Sequence, residues 1–264
     1  MKKKKLKKGV IILILSGILF FSLVTLHKEI NLPKYLLQKD TLTKSLYELS
    51  KYDKRIIKII ENQEAYPTVL LEMLSRNVDL IDYVLDYNQM KNQVFTDNIG
   101  YVEKGVYPLL LQYDKRWGYG KYGNSTVAVN GCGPTSIAMI IAGLTGKNEF
   151  TPYDIATYAE KKGYYQNGTS WSFFTTGVKH FGIEGESLPL SKKKINEELN
   201  KNHPILLSMR PGDFTTTGHI ILITGMKDGK FIIHDPNSKE RSNKLWSYET
   251  LEHQIKNLWA FKTI

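Results

Sequence analysis

Gly131-Cys132-Gly133-Pro134-Thr135-Ser136-Ile137-Ala138-Met139-Ile140-Ile141-Ala142 is the stretch on which the fold turns. It reads as a helix that begins at the cysteine. Pro134 suits a first helical turn, where a missing N–H costs no hydrogen bond. The residues from Ile137 to Ala142 are apolar on every side, which predicts a helix buried in the centre of a domain. The unpaired N–H groups and the macrodipole of a helix start favour an anion, and a cysteine acts as its thiolate. Gly131 and Gly133 allow another chain to approach the backbone closely. Cys132 is the only cysteine, so no internal disulfide and no cysteine-cluster zinc site can form. A buried, inert thiol is the competing reading.

Outward from this helix, Thr151-Pro152-Tyr153-Asp154 carries a helix-start signature of cap, proline and early acid. Further helices are expected at 171–181, 192–201 and 248–256. The second half turns to strands at 205–209, 219–226 and 231–234, with a last strand at 259–264. Asp228-Gly229 closes the middle two as a hairpin. Helices first and an antiparallel sheet afterwards make an α+β domain of residues 101–264.

A thiolate needs a neighbouring base, normally a histidine. Of the six histidines, His27 follows an apolar run and His203 precedes a proline in a loop. His180 and His253 fall on expected helices. His219 follows the pliable Thr215-Thr216-Thr217-Gly218 and heads the apolar strand Ile220-Ile221-Leu222-Ile223, where a side chain faces a cleft. Its bland alternative is a strand-end histidine satisfied by backbone groups. Asp235 ends the paired strand and is placed to orient the imidazole, although Asp-Pro-Asn is also ordinary turn chemistry. His234 alternates to the opposite face. Gln112, in Leu111-Gln112-Tyr113-Asp114, is an amide suited to donate to an oxyanion beside the Cys132 N–H. Tyr113 and Trp117 read as core or cleft wall.

Together these residues resemble the C39-like family of cysteine peptidases, in the papain-like superfamily. The likeness is carried by Val106-Tyr107-Pro108 through Gln112-Tyr113-Asp114-Lys115-Arg116-Trp117, by Gly131-Cys132-Gly133-Pro134-Thr135-Ser136, by Gly218-His219-Ile220-Ile221-Leu222-Ile223-Thr224-Gly225 and by Asp235-Pro236-Asn237. It covers about residues 105–262. It implies a papain-like α+β fold whose central helix, carrying Cys132, packs on an antiparallel sheet. It further implies Cys132 as nucleophile, His219 as general base and acid, Asp235 as orienter and Gln112 as oxyanion donor, without metal or cofactor. Related peptidase domains of bacteriocin-exporting transporters face the cytoplasm and are fused to a nucleotide-binding transporter. No G-x-x-x-x-G-K-[ST] occurs here, so leader-peptide processing is not expected.

The likeness leaves the N-terminal part unaccounted for. Residues 1–8 form a basic tail, and residues 9–26 carry no charge. At 1.5 Å per residue that run makes a helix of roughly 27 Å, enough to span a bilayer. Lysines ahead of it place the N-terminus inside and the remainder outside by the positive-inside rule. No small-x-small site marks it as a cleaved signal. Residues 27–100 read as a helical spacer, with Leu42, Leu46, Leu49, Ile56, Ile57 and Ile60, then Leu70, Leu71, Leu74, Ile81, Val84 and Leu85, at helical spacing. Two or three amphipathic helices are expected. Six of the ten net positive charges lie in Lys2, Lys3, Lys4, Lys5, Lys7 and Lys8, leaving +4 (10 less 6) for the remainder. That mild excess, without a recognition motif, argues against nucleic acid as a partner.

The expectation is a bacterial, single-pass membrane protein whose extracytoplasmic domain hydrolyses peptide or amide bonds in a peptide, protein or cell-wall substrate. Rival readings are a silent peptide- or wall-binding module, a hydrolase of peptidoglycan stem peptides, and a scaffold in which the helical spacer is the working part.

Overall fold

A computed structural model describes residues 40–264, so the expected membrane span at 9–26 lies outside the described residues. Among the described residues no helix is long and apolar enough to cross a membrane. The chain forms two compact units, which divide between Glu61 and Asn62. The described part of the first holds α1 (Thr41–Leu49) and α2 (Ile56–Glu61). Asp40 caps α1 by accepting from the Thr43 N–H at 2.8 Å, and Leu46, Ile56 and Ile59 are fully buried.

The second unit opens with α3 (Thr68–Arg76), a 3₁₀ turn (Val78–Leu80) and α4 (Ile81–Met90). Residues 40–90 thus carry four short α-helices rather than the two or three expected. Asp53 and Pro67 sit at breaks, and Asn77 takes an extended conformation that ends α3. A small hairpin, β1 (Lys121–Tyr122) with β2 (Ser125–Thr126), leads to α5 (Val127–Asn130) and then α6 (Cys132–Thr145). Gly146, at φ 75°, ends α6 in the left-handed conformation that glycine permits. In α7 (Pro152–Lys161) Thr151 and Asp154 form the reciprocal capping box their spacing predicts.

The remaining elements are α8 (Trp171–Thr175), β3 (Ile183–Ser187), α9 (Lys192–Leu199), β4 (Ile205–Met209), β5 (His219–Lys227), β6 (Lys230–His234), α10 (Lys239–Ser242), β7 (Leu245–Trp246), α11 (Tyr248–Leu251) and β8 (Ile255–Thr263). Six strands form one sheet in the order β3-β8-β4-β5-β6-β7, with every pairing antiparallel. Asp228 and Gly229, at φ 53° and 72°, close the β5–β6 hairpin with the left-handed pair that a tight two-residue turn needs.

Strand alternation divides the interior in two. Leu206, Ile220, Leu222, Trp259 and Phe261 face a core built on α6, with Ile137, Met139, Ile140 and Ile141. Ile205, Leu207, Ile221, Ile223 and Leu258 face the second core, with Ile195 and Leu199 of α9. A sheet covered on both faces explains why β4 is buried along its whole length.

Two expected helices differ, and one strand lies outside the expectations. The helix at 171–181 breaks after Thr175 into a 3₁₀ segment (Gly177–Phe181), where Gly177 lies so close to Phe173 that a Cβ would meet its ring at 2.4 Å. The helix expected at 248–256 stops at Leu251, because Ile255 already pairs with Met209 in β8. β3 was not expected at all. Its charged Ile-Glu-Gly-Glu-Ser sequence hides any alternation, and Gly185 is required because a Cβ would lie 2.1 Å from the Phe174 carbonyl oxygen.

Since α6 is the post on which Cys132 stands, its burial matters most. Replacing the fully buried Ile140 by alanine is expected to cost roughly 2–5 kcal/mol of unfolding free energy, read from urea denaturation.

Candidate active site

Cys132 is the first residue of α6, and its sulfur is a free, half-buried thiol. Gly131 sits at the N-cap and supplies no side-chain acceptor. The first-turn N–H groups are therefore not capped by a side chain and are available to an anion at this end. Gly133 has no room for a side chain, since a Cβ would lie 2.8 Å from Thr169 Oγ1. The Thr169 hydroxyl in turn bonds that of Tyr122 at 2.8 Å. This pair walls one side of the helix start.

His219 begins β5 and is buried. Its Nε2 donates to Asp235 Oδ1 at 2.7 Å, and Cys132 lies close enough to the same ring to act on its charge. With Nε2 committed to the carboxylate, Nδ1 is the nitrogen left for the thiol. Burial works against the charged imidazolium, but Asp235 and Cys132 outweigh it and carry the ring up to about 9.

Asp235 has no exposed surface. Burial pushes its carboxyl upward, yet His219 and Arg241 together hold it below the usual carboxylate range. Arg241 Nε meets Oδ2 at 2.5 Å, while Oδ1 also accepts the backbone N–H of Asn237 at 2.7 Å. The Asp235 N–H donates to Ser242 Oγ at 2.9 Å. Both carboxylate oxygens are thus met by charge-assisted hydrogen bonds.

Gln112 is buried, and its backbone N–H donates to the Pro236 carbonyl at 2.8 Å. Its Nε2 donates to the Ala128 carbonyl at 2.5 Å. That acceptor fixes which way the amide points and leaves one N–H of Nε2 to spare. Oε1 is buried without a partner.

Four side chains were picked out in the sequence: Cys132, His219, Asp235 and Gln112. His219 and Asp235 are bonded directly, Cys132 lies near the same ring, and Gln112 is tied to the same site through Pro236 and Ala128. His234 points elsewhere. Burial pulls its ring below the ordinary histidine range, against a hydrogen bond with the Pro108 carbonyl. Arg241 and Ser242 escaped notice, because nothing in local spacing marks an arginine six residues beyond an aspartate as its partner, and Asn237 reads in the sequence only as part of the Asp-Pro-Asn turn. A cavity of about 460 Å³ is lined by Glu184, Glu198, Lys201 and Lys262 and another of about 390 Å³ by Tyr107, Gly143, Lys201 and Lys262, and no residue of this site lines either. Among the described residues no group of three or more His, Cys, Asp or Glu side chains is placed to hold a metal.

The model of the Peptidase_C39 like family matches residues 105–262, which hold all of these groups. The chain belongs to this family. The C39-like domain is therefore the α+β body just described, with its antiparallel sheet. Two solved structures are similar to it. One is the peptidase domain of Streptococcus ComA, described as a bi-functional ABC transporter involved in a quorum-sensing pathway. It is 20% identical with a TM-score of 0.42, and the match covers 60% of this chain and 100% of that one. The other, a putative C39-like peptidase from Bacillus anthracis, is 14% identical with a TM-score of 0.39, over 62% of this chain and 98% of that one. No curated protein matches.

Two outcomes follow from this geometry. Arg241→Gln strands a fully buried carboxylate with half its charge partners, so unfolding free energy should fall by roughly 3–5 kcal/mol, measured in urea, with Arg241→Lys losing less. His219, raised from 6.5 to about 9, contributes stability that is complete below about 6.5 and is lost as pH climbs through about 9. Asp235 contributes in the opposite sense, above its lowered value. The melting-temperature gap between wild type and His219→Gln should accordingly narrow between about pH 6 and about pH 10.

Proposed function

We propose that the protein is a membrane-held, extracytoplasmic cysteine peptidase that cleaves peptide or amide bonds through an acyl-enzyme. The observation that carries this reading is the 2.7 Å bond between His219 Nε2 and the fully buried Asp235, with Cys132 beside the same ring at a helix start. A base fixed by a carboxylate and placed against a thiol is what a nucleophilic cysteine requires.

In the proposed sequence the Cys132 sulfur attacks the substrate carbonyl carbon, and its proton resides on His219. The carbonyl oxygen takes up negative charge and is met by the Cys132 backbone N–H and the spare N–H of Gln112. As the C–N bond breaks, His219 delivers its proton to the leaving amine. His219 then removes a proton from water, whose oxygen attacks the thioester, and the sulfur leaves with the carboxylic acid released. Asp235 stays ionised throughout and keeps the ring oriented. The membrane placement rests on the uncharged run at 9–26 behind its lysines.

The test compares digestion of an unfolded protein with digestion of purified cell-wall sacculi. Cys132→Ala and His219→Ala should each lower the turnover of whichever is cut by at least about 10³-fold with the fold intact by circular dichroism. Undiminished cleavage by Cys132→Ala would rule the reading out. Protease added to intact cells should remove the domain if it lies outside the membrane.

A further inference from the structure

The turn Asp235-Pro236-Asn237 does three jobs at once. Asp235 grips His219, Pro236 accepts the backbone N–H of Gln112, and the Asn237 N–H donates to Asp235 Oδ1. One of the bonds that hold the turn comes from outside the matched span of 105–262. Asn77 Nδ2 donates to the Asn237 carbonyl at 2.6 Å, across 160 residues of sequence.

The orientation of that amide is fixed by its own surroundings. Asn77 ends α3, and its Oδ1 accepts the Asp79 N–H at 3.1 Å as the cap of the following 3₁₀ turn. With the oxygen so engaged, the nitrogen must be the atom that faces Asn237. The same junction reaches the neighbour of Gln112. The buried Tyr113 hydroxyl interacts with Asn77, donates to Asp79 Oδ2 at 3.4 Å and feels the charge of Asp235. A relay therefore runs from the Asn77 amide through the two backbone polar groups of Asn237 to Asp235 and on to His219.

We propose that Asn77 is a positioning residue for the catalytic pair, and that the helices of residues 68–90 are part of the working enzyme rather than a spacer. This rests on the peptidase reading above. Asn77 touches no reacting atom. It restrains the turn so that Asn237 keeps its N–H on Asp235 and the carboxylate keeps its lone pair on the imidazole. Small losses of such alignment are expensive at a reacting centre.

Cys132 is the only cysteine, so alkylation of the full-length protein by iodoacetamide reports on it alone and needs no knowledge of the substrate. The rate is measured against pH for wild type, Asn77→Ala and Asn77→Ser, with Asp86→Ala as control. Serine still caps the 3₁₀ turn but is too short to reach the Asn237 carbonyl. Asp86→Ala removes a different tie between these helices and the domain, the 2.6 Å ion pair with Lys115. Both Asn77 variants should alkylate about five- to tenfold more slowly at neutral pH, with a displaced pH midpoint, while Asp86→Ala follows wild type. Wild-type rates and midpoints in both Asn77 variants would overturn the proposal, as would an equal loss in Asp86→Ala that tracks its melting temperature. If wild-type Cys132 itself reacts no faster than free cysteine, the peptidase reading fails first and takes the proposal with it.

Discussion

A carboxylate with no exposed surface is a liability unless charge meets it, and Asp235 is such a group. His219 takes one oxygen and Arg241 the other. The two cations arrive from different directions, one from the start of β5 and one from α10. Neither element can shift without exposing the carboxylate to an unpaired environment. The charge that the site needs for orienting a base is thereby also a clamp on the fold around it. Because His219 and Arg241 share one negative charge, the imidazole is held in place without the full electrostatic pull of an unshared aspartate.

The sheet supplies the other half of the arrangement. Its two faces each carry a separate core, so β4 and β5 are locked in register from both sides. The start of β5 is consequently a fixed point, and α6 packs across the sheet on one face only. A helix start and a strand start are thus brought to one place by ordinary apolar packing. The polar network around Asp235 then sets angles and protonation.

Much of this was legible from residue order. β4 falls where its apolar run predicts, Asp228-Gly229 turns the hairpin, the capping box opens α7, and α6 begins at the cysteine. These features are local: each is specified by a few neighbours through turn chemistry, capping or periodicity. What was hidden depends on distant partners. β3 is a strand only because β8 lies beside it, and its glutamates give no sign of that. Arg241 matters only because Asp235 is buried. Asn77 looks like any polar residue at a helix end, and only its hydrogen bond across 160 residues of sequence makes it notable.

The place of β8 in the sheet bears on how the domain is made. β8 follows every other strand in sequence, yet it lies between β3 and β4. The sheet therefore stays split until residues 255–263 have been synthesised and delivered. Contacts so far apart along the chain close slowly. During that interval the halves of the sheet have exposed hydrogen-bonding edges, which invite pairing with other chains. The start of β5 and the turn after β6 therefore gain their complete sheet only when the last strand is in place.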